Sequence, residues 1–212
     1  MKKKLNIVYE DKDIIVVNKE AKLLTIATEK EKDKTLYHYV LEYEQNKHKS
    51  NRIFIVHRLD KDTSGLVLFA KNIKTKKYYQ DNWNKITKRY YQAVLEGKVK
   101  KDKDTIKSYI TENKAFISYS TDAKHGTEAV TKYELVETKN NFSLVNIQIL
   151  TGRKNQIRVH MSEMGNPISG DKKYGAKTNI YNRLALHANK LVIINPITKK
   201  EMVFESKFSF KL

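Results

Sequence analysis

Short apolar runs separated by polar or glycine-bearing turns recur along almost the whole chain, and this pattern limits the fold most. Leu5-Asn-Ile-Val-Tyr, a charged Glu10-Asp-Lys-Asp turn and Ile14-Ile-Val-Val-Asn read as strand, turn and strand. Ile53-Phe-Ile-Val and Leu66-Val-Leu-Phe-Ala add two strands, and Arg89-Tyr-Tyr-Gln-Ala-Val-Leu-Glu another, closed by Gly97. Further strands are expected over Lys107–Ile110, Ala115–Tyr119, Glu128–Glu137, Phe142–Leu150, Leu184–His187, Lys190–Ile194 and Met202–Phe204. Helical spacing is confined to Leu36–Tyr43, to roughly Asn72–Thr87 and to a segment after Thr151, which is expected to cap it. Ile157, Met161 and Met164 would then share one helix face. The lysine-rich Lys98–Lys107 section is the best candidate for an exposed hairpin, with a plain solvated turn the favoured alternative. The pattern predicts an α+β fold with many, mostly antiparallel strands and no internal repeat.

The chain carries 42 lysines and arginines against 24 acidic residues, a net charge of +18. Such a field suits phosphate-rich partners or an anionic surface, and charge alone does not choose between them. Only Arg52, Arg58, Arg89, Arg153, Arg158 and Arg183 are arginines, so lysine reads as a default surface residue and part of the charge as background. An arginine retained in that background marks a place where a planar, bidentate contact is wanted. Cysteine is absent, which excludes disulfides, thiolate nucleophiles and cysteine-ligated metals. No stretch is long and apolar enough to cross a bilayer, and Met1-Lys-Lys-Lys is followed by charge rather than by a signal-peptide core. A cytoplasmic protein with no membrane association is expected.

Chemistry is densest in His57-Arg58-Leu59-Asp60-Lys61-Asp62-Thr63-Ser64-Gly65, a polar segment between two apolar strands. A carboxylate at a strand end commonly serves a turn. The arginine two residues before Asp60 favours a catalytic role, because a partly buried carboxylate needs a counter-charge to stay ionised. Asp62 and Ser64 read as turn or hydrogen-bonding residues. Ser64 lies in no nucleophile elbow, His57, His160 and His187 lack ligand spacing, and the glycine loops match no phosphate-loop or dinucleotide fingerprint.

These residues resemble the RluA-type RNA pseudouridine synthases. The segment from His57 to Leu66 is similar to the family signature, and other motifs follow in family order. They are Tyr9-Glu-Asp with Val17-Asn-Lys, Arg89-Tyr-Tyr91-Gln-Ala93 with Gly97, and Ala129-Val-Thr-Lys-Tyr133. Thr151-Gly-Arg-Lys-Asn-Gln-Ile-Arg158, Gly165-Asn-Pro-Ile-Ser-Gly-Asp171 with Tyr174-Gly175, and Arg183-Leu-Ala-Leu-His187 complete the series. The resemblance implies the pseudouridine synthase fold, a long bent mixed sheet, mainly antiparallel, with a central cleft and flanking helices. It also implies isomerisation of uridine in ribosomal or transfer RNA without metal or organic cofactor.

By the same resemblance, Asp60 is the catalytic carboxylate and Arg158 the arginine that pairs with it. Tyr91 packs on uracil and handles the C5 proton, Ile157 forms an apolar wall on the base, and Arg58 enters the RNA where the flipped base has left. Arg153 contacts phosphate or supports the following helix. His57, Leu59, Thr63, Gly65, Gln156 and Asp171 support these motifs, Asp171 and Tyr174 by holding a loop. His160 and His187 read as structural. One catalytic domain over residues 1–212 is expected, without a separate N-terminal RNA-binding domain, acting on structured RNA as a monomer with no obligate protein partner. A non-catalytic RNA-binding or ribosome-assembly factor is the alternative, and intact Asp60, Tyr91 and Arg158 argue against it.

Two segments depart from the family pattern. Lys19-Glu20-Ala21-Lys22 stands where members have Lys-Pro and then a glycine, and Lys154-Asn155 where Thr or Ser and His precede the glutamine. A looser first loop and an altered target choice are expected from them.

Overall fold

A computed structural model describes residues 5–29 and 31–212. They fall into two compact units, one drawn from Met1–Thr87 and Ala188–Lys207, the other from Lys88–His187 and Phe208–Leu212. The chain is α+β, as expected.

In the first unit, β1 (Ile7–Glu10) and β2 (Ile14–Lys19) form a bulged antiparallel pair. The Asp11 carboxylate closes their turn by accepting the amides of Asp13 and Ile14 at 2.7 and 2.8 Å. After α1 (Leu36–Lys47) and the two-residue β3 (Phe54–Ile55), β4 (Ser64–Ala70) runs antiparallel to β2, with Val16 opposite Leu68 and Lys19 opposite Gly65. Every residue of β4 and the first four of β2 are buried, which explains their unbroken apolar runs: these strands are covered on both faces. Ile14, Val16, Leu66 and Leu68 pack with Tyr79 of α2 (Ile73–Ile86), while Phe69 points towards Tyr37 of α1, ring centroids 6.4 Å apart. Thr35 and Asn72 cap the two helices through their side chains. Leu184–His187 and Lys190–Ile194, expected as two strands, belong largely to one, β10 (Leu186–Ile194), which pairs with β11 (Glu201–Glu205).

The second unit holds the antiparallel order β5–β9–β8–β6–β7, made of β5 (Thr87–Glu96), β6 (Lys103–Glu112), β7 (Ser118–Thr121), β8 (Thr127–Lys139) and β9 (Phe142–Ile149). Asn140 and Asn141, both at positive φ (50° and 60°), make the tight β8–β9 turn. Lys98–Lys107, the hairpin candidate, forms no hairpin of its own. Its second half is strand β6, which pairs with β8 and not with β5, so the segment is a crossover. Its lysines are exposed, Lys98, Lys100 and Lys101 ahead of the strand and Lys103 and Lys107 at the open positions of its alternating early part. The strand expected at Ala115–Tyr119 begins only at Ser118, since Asn113 draws Ala115–Ile117 into a loop. Helix α3 (Gln156–Glu163) packs Val159 with Ile110, Ala129 and Tyr174.

Candidate active site

The first unit carries the loop between β3 and β4. His57 is fixed at its start: the Leu68 amide donates to Nε2 at 3.0 Å, and the imidazole stacks on Trp83 of α2, centroids 4.5 Å apart. Leu59 is buried, and its backbone exchanges two bonds with the buried Thr25 hydroxyl. The amide donates at 3.2 Å, and the hydroxyl donates to the Leu59 carbonyl at 2.8 Å. On the other side of Asp60, the Lys61 carbonyl accepts from Lys19 Nζ at 3.0 Å. Lys19 is 1 % exposed and also donates to the carbonyls of Glu20 (3.0 Å) and Leu23 (2.7 Å). The Asp60 carbonyl takes the Thr63 amide at 3.2 Å, closing the turn. The half-buried Asp60 carboxylate therefore rides on a backbone clamped at both neighbours, while Arg58 is exposed.

Gly65 has a steric reason to be glycine. Its φ is +119°, and a Cβ there would lie 2.3 Å from the carbonyl oxygen of Ala188. Thr63 and Ser64 are buried beside it. Ser64 and Gly65 belong to β4 and not to the loop.

The second unit carries the other motif residues. Tyr91 lies on β5 opposite Ile147 and is buried, while Tyr90 turns to the more open face, as strand alternation requires. Arg89 is buried on the Tyr91 face. Burial pulls its guanidinium pKa below the ordinary range, opposed by the Tyr91 phenol and reinforced by Arg153. Its Nη2 donates to the Leu150 carbonyl at 3.3 Å.

Helix α3 begins differently from the expectation. Thr151 does not cap it. Its hydroxyl instead accepts the Val130 amide (2.8 Å) and donates to Gln156 Oε1 (2.8 Å). Asn155 occupies the N-cap position at φ 55°, a left-handed conformation asparagine tolerates, and its side chain caps nothing. It accepts instead from Arg158 Nη1 at 3.1 Å. Arg158 is held further by a fork on Asp171, Nε to Oδ2 at 2.7 Å and Nη2 to Oδ1 at 2.6 Å, and lies over the Tyr174 ring at 4.9 Å. Gly170 places Asp171, because a Cβ there would lie 2.3 Å from the Arg183 carbonyl oxygen. Gln156 donates to the Val130 carbonyl and to Thr131 Oγ1, both at 3.0 Å, so the helix start is tied to β8. Ile157 is buried in the same turn.

Arg153 donates from Nε to the Glu128 carbonyl at 2.9 Å. His160 is bonded on both ring nitrogens, to Thr131 and Ser108 at 2.9 Å each, in keeping with a structural histidine. Asp171 does more than hold a loop: it orients the guanidinium of Arg158. The sequence reading missed Lys19, because a lysine-rich composition makes any single lysine look like surface. It also missed Thr25. Among the described residues no cluster of His, Asp and Glu side chains is placed to hold a metal ion. No described helix is long and apolar enough to cross a membrane.

The family model described as RNA pseudouridylate synthase matches residues 13–163. An uncharacterized RNA pseudouridine synthase of Bacillus subtilis, YhcT, is 36% identical over 207 residues, covering 96% of this chain and 68% of the relative. The ribosomal large subunit pseudouridine synthase C of Rickettsia bellii is 37% identical over 207 residues, covering 95% of this chain and 67% of its own. Among solved structures, human RNA pseudouridylate synthase domain containing 1 superposes with a TM-score of 0.79 at 25% identity, covering 98% of this chain and 85% of that one. Human RNA pseudouridylate synthase domain containing 4 shares the fold, with a TM-score of 0.80 at 22% identity over 96% of this chain and 88% of its own. The motifs, the fold and these relatives agree: this chain belongs to the RluA-type RNA pseudouridine synthase family, the isomerases that act on uridine in RNA.

Proposed function

We propose that the chain isomerises one or a few uridines of ribosomal RNA, in the cytoplasm and as a monomer, with Asp60 as its catalytic carboxylate. The ribosomal assignment rests on relatives named for the large ribosomal subunit. Transfer RNA is the other substrate the experiment below separates. The target uridine must leave the stack before its glycosidic bond is reachable. The N1–C1′ bond then breaks, the uracil turns, and C5 joins C1′. The C5 proton leaves and N1 ends protonated, so atoms balance without a redox partner.

In this reading Tyr91 packs on the base and handles the C5 proton, Ile157 supplies an apolar wall, and Arg158 supplies positive charge to the reaction. Arg58 stacks and contacts phosphate where the base has left, a task suited to a planar guanidinium. Arg153 serves as a scaffold residue.

One observation carries the assignment of Asp60. Its neighbours on both sides are clamped by the buried polar anchors Thr25 and Lys19. A turn carboxylate on a surface loop needs no such clamps, whereas a reacting group gains from being held in one geometry.

The test is a pseudouridine map of total RNA from cells with and without the gene, with wild-type and Asp60→Asn rescue. Loss of one or a few ribosomal sites, restored by wild type and not by Asp60→Asn, is the expected result. Sites lost from transfer RNA instead would redirect the substrate assignment. An unchanged map, with purified protein inactive on cellular RNA, would overturn the reading.

A further inference from the structure

The loop joining β6 to β7 holds a bulky side chain out in solvent. Phe116 stands at φ +58°, a left-handed conformation that bulky L-residues rarely adopt, and it is 70% exposed. The strain serves no core contact, yet the loop is firmly built. The Asn113 amide donates to the Ile117 carbonyl (3.0 Å) and the Phe116 amide to the Asn113 carbonyl (2.9 Å). Asn113 Oδ1 accepts the amides of Ala115 and Ile117, both at 3.0 Å. Lys173 Nζ then grips the Phe116 carbonyl at 2.8 Å. The backbone that presents the exposed ring is therefore fixed.

Cations surround that ring. Lys154 Nζ lies 5.4 Å from its centroid while bonding the Glu112 carboxylate at 2.7 and 2.8 Å. Lys173 is beside it, and the exposed Lys114 is two residues away in the same loop. The hairpin is anchored by the Ser118 amide, which donates to the Tyr174 hydroxyl at 3.2 Å. Tyr174 is the ring under Arg158, and Asp171 is the carboxylate in its fork. One loop thus fixes both the guanidinium of Arg158 and the tip that carries Phe116.

We infer that the Phe116 ring is a stacking platform for an unpaired base of the bound RNA, with Lys114, Lys154 and Lys173 facing the phosphates on either side. The inference rests on the RNA-modifying reading and extends it to a contact outside the reacting nucleotide. An aromatic face among cations is the chemistry that single-stranded nucleic acid requires. A protein partner is disfavoured by the lysines that lie this close to the ring, since lysine is depleted from protein interfaces relative to the rest of the surface.

Affinity for unmodified, in-vitro-transcribed large-subunit ribosomal RNA is measured for wild type, Phe116→Gly, Phe116→Ala and Phe116→Trp, alongside melting temperature and KM. Phe116→Gly and Phe116→Ala weaken binding by about five- to a hundredfold, and KM rises in step. Phe116→Trp restores affinity. Phe116→Gly melts no lower than wild type, because glycine accepts the positive φ. Lys114→Gln lowers the slope of log affinity against log salt by about 0.7, one phosphate's share. Equal affinity of wild type and the Phe116 variants overturns the platform, whatever the activity. So does self-association of wild type that Phe116→Ala abolishes without touching RNA affinity, which would make the tip a protein contact. Wild type that binds RNA in a Phe116-dependent way but forms no pseudouridine overturns the proposed reaction and leaves the platform supported.

Discussion

Arg158 and Asp171 form a two-pronged ion pair inside the protein, at 2.7 and 2.6 Å, with the carboxylate side chain 1% exposed and the guanidinium side chain 9%. Pairs buried this deeply gain little net stability, because desolvation offsets most of the attraction. Their use is orientation. The fork fixes the guanidinium plane as a single charge contact would not, and Tyr174 supports it from one face.

Removing one partner should therefore be costly. Asp171→Asn replaces the charged fork on the buried Arg158 with a neutral amide, and a loss of up to about 3–5 kcal/mol is expected in urea denaturation. Where the variant still folds, pseudouridine formation in single turnover should fall at least tenfold. Wild-type stability together with a wild-type rate would show that the pair orients nothing of consequence.

Arg58 is exposed within the loop that carries Asp60. Arg58→Lys keeps the charge for phosphate contact and removes the planar face. RNA affinity should stay within a few-fold of wild type while the single-turnover rate drops by a larger factor. Equal losses in both measurements would count against insertion into the vacated stack.

Much of the fold was readable because its signals are local. The apolar runs of β2 and β4 and the apolar spacing of α1 lie within single segments, and so does the polar stretch that carries Asp60. What escaped depends on distant partners. Arg158 and Asp171 are 13 residues apart, and the loop that returns Asp171 to the helix has a positive-φ glycine, Gly170, just before it. Asn155 looked like a departure from a motif, and its meaning emerges only when its side chain is seen on Arg158. At Lys22 a lysine stands at φ 66°, a conformation better suited to glycine, and the missing proline suggested a loose loop. The segment is instead tied down by the Lys19 ammonium, whose carbonyl partners no periodicity announces.

Acid should destabilise the protein in two separate windows. Burial, reinforced by the nearby Arg183 cation, holds the His187 imidazole at a pKa of about 4, down from 6.5. The unfolded chain takes up this proton below about pH 6.5 and the folded protein only near 4. The stabilisation is therefore full above 6.5 and fades as pH falls to 4, on the order of 3 kcal/mol in all. Burial also lowers the His160 pKa, partly opposed by Glu163, and deepens the same window. Burial would raise the Glu10 carboxyl, but hydrogen bonds from Lys47, Lys71 and Tyr43, together with Glu44, bring it to about 2 from 4.5. Its contribution is present above pH 4.5 and is lost between 4.5 and 2. Urea midpoints measured across pH should fall in both windows. His187→Gln should make the upper window shallower, leaving the His160 part and the lower window in place, and an unchanged slope there would show that His187 contributes nothing to it.

Lys19 is a positioning residue for Asp60, and its removal should separate binding from turnover. Lys19→Met keeps the length of the stem and its packing but deprives the carbonyls of Glu20, Leu23 and Lys61 of their ammonium donor. Unsatisfied buried acceptors cost about 1–3 kcal/mol each, partly recovered by water at the outer two, so a net loss of at least about 2 kcal/mol is expected. Arginine should rescue poorly, since its flat fork does not match three carbonyls converging on one point. In the proposed reading RNA is held by Arg58, Tyr91 and the basic surface rather than by the buried Lys19, so affinity should change little. The single-turnover rate should fall with the displacement of Lys61 and the carboxylate beside it. The measurement is a paired affinity and single-turnover assay, run below the melting temperature of each variant. A Lys19→Met protein that turns over RNA at the wild-type rate would break the link between the buried ammonium and the Asp60 loop. A parallel loss of affinity and rate would assign Lys19 to the general fold rather than to the carboxylate.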